Sequence, residues 1–336
     1  MAEGSPGIFL DLLAPARLFG QNPRVKASKQ HLRLRHRGRS FVRRGGLRMT
    51  VFSHERIGQI MPLQPVLTVD LFPVLEGMLI EVLRCLRHDD WSRPTLAKQW
   101  TVKDVASHLL DGNLKRLSIQ RDGFFGLAPP PREGYEAFVG FINRNNTDWV
   151  QAARRLSSRV LIDFMEITSK EVHDLFRGLD PDAPALWGVT WAGEETSANW
   201  FDIAREYTER WHHQQQIRVA VDRPGISSRE LYFPVLDTFM RGMPHAFRSV
   251  KAREGTVVEI QITGEAGGSW FVERTDSAWI LEQHAPSAEA TLKMDQELAW
   301  RVFTKAVDVQ TAAREVDVRG DRSLAMQALS LVAVLA

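Results

Sequence analysis

The stretch ERWHH, residues 209–213, decides how this chain is interpreted, because it places a carboxylate one helical turn from an imidazole. It lies in a helical pattern that begins near residue 197 and ends near residue 221. Because Glu209 and His213 are four residues apart, they lie one above the other on one face of that helix. Far upstream, a second helical pattern carries His108. A ligand from that helix would complete a set of two His and one Glu, which binds a divalent metal and leaves a coordination position open.

The same pattern also fits two solvated helix faces, and periodicity alone does not decide between the interpretations. Glu209 and His213 lie nearly opposite the apolar stripe of their helix, and His108 lies opposite the apolar residues of its own helix. A metal site requires these two polar faces to meet and line a cleft. Asp104, one turn before His108, could accept the second imidazole N–H and fix its tautomer. His212 is the competitor for His213, because Glu209 and His212 form an E-x-x-H pair.

The order of helical and alternating patterns predicts an α+β fold. Helical periodicity covers residues 70–87, 101–120, 134–177 and 197–221. We therefore predict a four-helix bundle over residues 65–225, and Thr101-Val102-Lys103-Asp104 resembles a capping box at the start of one helix. From Thr256 onward apolar and polar residues alternate, which is typical of β-strands. A further helix is predicted over residues 323–335. The second predicted domain, a small α+β unit, covers residues 228–336.

Composition and charge narrow the function classes. The chain has 336 residues, 44% of them hydrophobic, which is enough for two domains with full-sized cores. Residues 1–48 contain eleven Lys or Arg against two acids and carry +9, whereas the remainder carries −7. A mildly acidic folded part argues against a nucleic-acid-binding core. No apolar run approaches the roughly 20 residues of a membrane span, and no secretory signal pattern is present, so we expect a cytoplasmic protein.

The N-terminal segment and the single cysteine carry two further signals. Residues 1–60 are rich in Arg, Gly and Ser, and we interpret them as a disordered basic tail or as a mis-called start. In the second case translation begins at Met49 or Met61. The single cysteine, Cys85, excludes an intramolecular disulfide and lies in a helical stripe, so we expect it in the core.

Two motifs resemble the mycothiol-dependent maleylpyruvate isomerase family, which belongs to the DinB-like metal-binding bundles. They are WTVKDVASHLL from Trp100 and EYTERWHHQQQIR from Glu206. The resemblance covers about residues 65–225. The segment VDVRGD, residues 316–321, is similar to the sterol-carrier-like domain that often follows this bundle. The family has Asp shortly after its last ligand, whereas this chain has Gln214-Gln215-Gln216.

The resemblance implies that zinc, or another divalent metal, is held by His108, Glu209 and His213, and that mycothiol binds at the open position. A thiolate made there could isomerise a small electrophile by addition and elimination, or displace a leaving group from it. Arg319 and Arg322 are the candidates for binding a substrate carboxylate. The expected partners are therefore a small-molecule thiol and an electrophilic substrate, with neither nucleic acid nor a membrane.

Two other functions stay open at this point. A set of two His and one Glu with a bound water is also a hydrolytic ligand set, for which Glu206 or Asp111 could be the general base. The other is a non-catalytic metal- or ligand-binding protein. Added thiol separates these functions, because a hydrolase would turn over without it.

Overall fold

The computed structural model describes residues 63–127 and 134–334. The basic segment 1–60 therefore lies outside the described residues. The helices are α1 (Phe72–Arg84), α2 (Val102–Lys115), α3 (Gly134–Ala153), α4 (Ser158–Arg177), α5 (Asn199–Val221), α6 (Arg229–Met240), α7 (Met243–Phe247), α8 (Gln296–Phe303), α9 (Val309–Ala312) and α10 (Arg322–Gln327). The long helices lie where apolar periodicity predicts them. The helix predicted over residues 323–335 is shorter, since α10 ends at Gln327.

A capping box starts α2, the helix that carries His108. The Thr101 hydroxyl accepts a hydrogen bond from the Asp104 N–H (3.3 Å), and the Asp104 carboxylate accepts one from the Thr101 N–H (3.0 Å). This reciprocal pair satisfies two donors that the first turn leaves unpaired, and it confirms the predicted cap. At its other end α2 continues into a π-helical segment, Arg116–Arg121. Such segments are rare and often occur at functional sites.

Helix α5 contacts α1, α2 and α6, and its polar residues are buried along with its apolar ones. His212 and His213 are 4% and 8% exposed, and Asp202 is 1% exposed. The interpretation of this polar face as solvated is therefore wrong. Around α5, helices α1 and α2 each pack against α4, and α3 packs against α2. The DinB-like assignment of this region stays a prediction.

A mixed sheet follows the helical region, and together they confirm the α+β class. Its strands are β1 (Val257–Thr263), β2 (Gly268–Arg274), β3 (Trp279–Glu282), β4 (Ala290–Asp295) and β5 (Asp317–Gly320), in the order β3-β2-β1-β4-β5. Strand β1 runs parallel to β4, and the other pairs are antiparallel. The sequence does not predict β5, because this short edge strand lacks a buried face and so shows no apolar alternation.

Trp211 sets the rotation of α5 about its axis. Its ring stacks on Tyr232 of α6 at 4.1 Å between centroids and meets Trp300 of α8 edge-on at 6.2 Å. Its indole N–H donates to the Ile226 carbonyl (2.8 Å). Because each helical residue turns ~100°, the candidate ligands two positions before and after Trp211 lie on the opposite side of α5. The aromatic anchor on one side thus turns those ligands towards α2.

One apolar cluster extends from Phe72 in α1 to Trp300 in α8, across the predicted domain boundary near residues 225–228. The division into two domains stays a prediction.

Cys85, expected in the core, is exposed. That expectation is wrong because Cys85 lies four residues after the exposed Glu81, on the side of α1 that faces away from its buried stripe. Within the described ranges, no helix combines the length and the apolar character needed to cross a bilayer.

Candidate metal centre

Two imidazoles from different helices meet between α2 and α5. His108 of α2 and His213 of α5 lie with ring centroids 4.8 Å apart in an edge-on arrangement of 76°. The Trp100 ring packs against His108 at 4.8 Å and lies 6.3 Å from His213. The two polar faces that the sequence places on separate helices therefore meet, as the metal hypothesis requires.

Glu209 adds a carboxylate to these imidazoles. Its Oε2 lies 3.7 Å from Nε2 of His213 and 3.8 Å from Nδ1 of His212. Ligand atoms of Glu209, His212 and His213 all lie within 4.8 Å of one another. Metal–ligand bonds of roughly 2.0–2.1 Å in a tetrahedron place ligand atoms about 3.3 Å apart. Small side-chain adjustments would therefore let Glu209, His212 and His213 hold one divalent ion. His108 is not in this group of mutually close ligand atoms, and it meets the group through its ring contact with His213.

The imidazoles of His108, His212 and His213 differ in the hydrogen-bond partner of Nδ1. His213 Nδ1 lies 2.9 Å from the side-chain oxygen of Gln216, and His212 Nδ1 lies 3.0 Å from the Thr208 carbonyl oxygen. Both partners are acceptors, so each ring carries its proton on Nδ1 and keeps a lone pair on Nε2. His108 Nδ1 is buried and, within the part of the chain that is described, has no hydrogen-bond partner. A buried nitrogen without a partner fits a metal or ligand donor.

Asp104 does not orient His108, so that expectation from their spacing is wrong. The Asp104 carboxylate accepts from the backbone and hydroxyl of Thr101 (3.0 and 2.9 Å) and from the Arg154 guanidinium (3.2 and 3.3 Å). The cap of α2 uses Oδ2, and the Arg154 guanidinium donates to both carboxylate oxygens. The spacing of Asp104 and His108 by four allows a contact between them but does not require it, and here the carboxylate bonds to Thr101 and Arg154 instead.

Burial controls the protonation of the cluster. It lowers the pKa of His213 to about 3 and that of His212 to about 4. Burial, and then the charge of His213, lowers the pKa of His108 well below its ordinary value. All three rings are therefore neutral at pH 7, which is the form that donates a lone pair to a metal. Burial raises the pKa of Glu209, and a cation beside this carboxylate would offset the lost hydration.

A buried ion network lies beside the cluster, and sequence reasoning missed it. The Arg116 guanidinium donates to Asp202 (2.6 and 2.9 Å) and to Glu206 (3.2 and 3.0 Å). Arg210 donates to Glu206 (3.2 Å) and to Glu76 of α1 (2.5 Å). The spacing of Asp202, Glu206 and Arg210 by four was a visible signal on α5. Their partners on other helices cannot be read from that spacing.

The network also bears on the hydrolase alternative. Burial alone would raise the pKa of Glu206, but Arg116 and Arg210 outweigh burial and lower it. A carboxylate held by two guanidiniums is a weak base, which counts against Glu206 as the general base. Asp111 is ion-paired with Lys115 (2.5 Å), although burial raises its pKa.

The two candidate arginines lie in the C-terminal part. Arg319 is in the edge strand β5, Arg322 opens α10, and both side chains are exposed. Neither guanidinium forms a hydrogen bond or ion pair with any residue that the structure describes, including the His–Glu cluster. Their role in binding substrate stays a prediction.

Residues 76–218 match the family model described as the mycothiol maleylpyruvate isomerase N-terminal domain. Among solved structures, the chain is similar to a crystallised mutant of the mycothiol-dependent maleylpyruvate isomerase, with 12% identity, a TM-score of 0.44 and coverage of 74% of this chain and 90% of that one. For the unmutated isomerase the identity is 13%, the TM-score 0.42, and the coverage again 74% and 90%. A ubiquinone synthesis protein, UbiJ-SCP2, shows 13% identity and a TM-score of 0.22 over 30% of this chain and 96% of that one. No curated protein matches.

Proposed function

We propose that this chain, whose residues 76–218 belong to the mycothiol maleylpyruvate isomerase N-terminal domain family, is a zinc- and mycothiol-dependent cis–trans isomerase or thiol S-transferase. Its substrate would be a small electrophile. The observation that carries the proposal is the 4.8 Å approach of His108 on α2 to His213 on α5, which itself lies 3.7 Å from Glu209. One donor from α2 thereby meets two donors from α5, about a hundred residues further along the chain.

The donor set fits a divalent ion of zinc type. His108, Glu209 and His213 would hold it, since neutral imidazole nitrogens and a carboxylate oxygen are preferred zinc ligands. Three protein ligands leave a further position for an exogenous thiol. When bound, zinc and mycothiol would together supply a thiolate at neutral pH. The residues of this chain contribute burial, neutral rings and the Trp100 side chain packed against His108, which together limit water at the centre.

Arg319 and Arg322 remain our candidates for binding a carboxylate on the substrate. Both guanidiniums are exposed, so they are accessible to an anionic ligand. A planar guanidinium binds a carboxylate through two parallel hydrogen bonds. Replacing either arginine by Lys should raise KM for a carboxylate-bearing substrate and leave zinc content unchanged, whereas an unchanged KM in both variants would remove them from the site.

The proposal is tested by turnover under four conditions. The protein is stripped of metal, and maleylpyruvate and other small electrophiles are supplied with zinc, with mycothiol, with both, or with neither. We expect turnover only with both. Turnover with zinc alone would support the hydrolase instead, and a zinc-loaded protein that binds ligands without turnover would support the non-catalytic binding protein.

A further inference from the structure

Gln216 contacts the candidate ligand His213 through the ring nitrogen that faces away from Glu209. Its side-chain oxygen lies 2.9 Å from His213 Nδ1, and the two residues are one helical turn apart on α5. Gln216 is 4% exposed and His213 is 8% exposed, so water does not compete freely for this hydrogen bond. The contact is therefore a persistent constraint on the ring.

The direction of this hydrogen bond determines the tautomer. A side-chain carbonyl oxygen only accepts, so His213 must carry its proton on Nδ1. The lone pair then resides on Nε2, the nitrogen that lies 3.7 Å from Glu209 Oε2. Without the acceptor, either nitrogen of the neutral ring could carry the proton, and part of the population would have Nε2 blocked.

His213 differs in this respect from the other two imidazoles of the cluster. His212 is held through a backbone carbonyl, which mutation cannot remove, and the buried Nδ1 of His108 has no partner within residues 63–127 and 134–334. A side-chain partner that orients a ligand ring is thus present at His213. Loss of such a partner typically weakens metal binding by about 10–100-fold.

We propose that Gln216 is a positioning residue: it holds His213 in the tautomer and orientation that present Nε2 to the metal. The inference rests on the proposed metal centre and adds to it a residue that does not touch the metal or the substrate. The amide accepts a hydrogen bond as a carboxylate would, but it adds no charge beside Glu209. The chain therefore obtains ring orientation from Gln216 without further lowering the net positive charge of a metal-loaded centre.

The neighbouring glutamine provides a matched control. Gln215 is 5% exposed, on the same helix, and its side-chain oxygen is buried without a hydrogen-bond partner among the described residues. Replacing Gln215 by Met removes the same buried amide without touching the ring of His213. Any general effect of an amide-to-thioether change in α5 is therefore measured separately from the effect on His213.

The test compares zinc affinity, by competition with a chelator, in the wild type, Gln216→Met, Gln216→Glu and Gln215→Met. We expect about 10–100-fold weaker zinc binding in Gln216→Met. Gln216→Glu keeps the acceptor and should bind zinc at least as tightly as the wild type, and Gln215→Met should match the wild type. Wild-type affinity in Gln216→Met, or an equal loss in Gln215→Met, would overturn the inference and leave the proposed function standing.

A second readout does not depend on metal. Long-range proton–nitrogen spectra of the metal-free protein, labelled in its histidines, report which nitrogen of His213 carries the proton. The Nδ1–H tautomer should dominate in the wild type and in Gln216→Glu, and should lose that dominance in Gln216→Met. An Nε2–H tautomer in the wild type would overturn the inference. A wild type that binds no zinc would instead overturn the proposed function, and the inference with it.

Discussion

Removing the Arg116 guanidinium should destabilise the protein far more than removing an exposed arginine. Arg116 is 3% exposed and forms ion pairs from the end of α2 to Asp202 (2.6 Å) and Glu206 (3.0 Å) of α5. The substitution Arg116→Met keeps most of the side-chain volume and removes the charge. It leaves two buried carboxylates with one partner fewer, in the contact that aligns α2 with α5.

The size of the loss in unfolding free energy depends on the ion pairs that Asp202 and Glu206 keep. Breaking a buried ion pair by removing one partner costs roughly 3–5 kcal/mol, because the remaining charge is left buried. Here Arg205 still lies 2.7 Å from Asp202, and Arg210 still lies 3.2 Å from Glu206. We therefore expect the lower end, about 3 kcal/mol. An unfolding entropy of about 2.1 cal/mol/K per residue, summed over residues 63–127 and 134–334, converts that loss into a decrease of about 5 °C in the melting temperature.

Thermal and urea unfolding at pH 7 measure this loss, with Arg121→Met as the matched control. Arg121 also pairs with two acids, Asp122 (2.7 Å) and Glu171 (2.5 Å), but in solvent, so its loss should not shift the midpoint measurably. Equal midpoints for Arg116→Met and the wild type would show that the buried ion pairs of Arg116 do not stabilise the fold. So would an Arg121→Met protein as destabilised as Arg116→Met.

The same variant has a predicted pH dependence. Burial raises the pKa of Asp202, but Arg116 and Arg205 outweigh burial and hold it below its usual range. A carboxyl whose folded pKa is depressed contributes stability above its unfolded pKa, about 3.9, and loses that contribution as the pH falls. The difference in stability between wild type and Arg116→Met should therefore narrow below about pH 4. A difference that stays constant down to pH 2 would contradict this account.

Three further outcomes are expected. Thr101→Ala removes the cap of α2 and should cost about 0.5–2 kcal/mol in urea unfolding, and no change would mean that Asp104 alone starts the helix. Trp211→Ala opens the aromatic contact between α5 and α6 and should cost roughly 3–5 kcal/mol, so a near-neutral result would refute its anchoring role. Zinc at 100 times its dissociation constant should stabilise the wild type by about 2.7 kcal/mol, and an unchanged melting temperature on addition of zinc would exclude binding to the native state.

Much of the fold is predictable from the chain because it depends on local patterns. The 3.6-residue stripe of α1, the Thr101–Asp104 cap and the alternation in β1 each arise from residues close in sequence. The exposure of Cys85 follows from the same helical pattern, because this residue lies four positions after the exposed Glu81 and so on the side of α1 away from the buried stripe.

The site was predictable only as a set of candidates. Spacing places Glu209 and His213 on one face of α5, but which helix covers that face is a property of the tertiary structure. Periodicity alone also suits a solvated face, and the contact with His108 excludes it. The partners of Arg116 could not be predicted for the same reason, because the four-residue spacing on α5 shows a polar face but not which helix contacts it.

Elemental analysis of zinc in purified variants shows whether the metal centre is built between α2 and α5. We expect one zinc per wild-type chain and retention of zinc in His212→Ala. We expect loss of zinc, with the fold retained, in His108→Ala, Glu209→Ala and His213→Ala. Loss of zinc in His212→Ala with retention in His213→Ala would assign the ligand to the neighbouring ring. Undiminished zinc in His108→Ala would exclude His108 as a ligand, since the site would then not be built between α2 and α5.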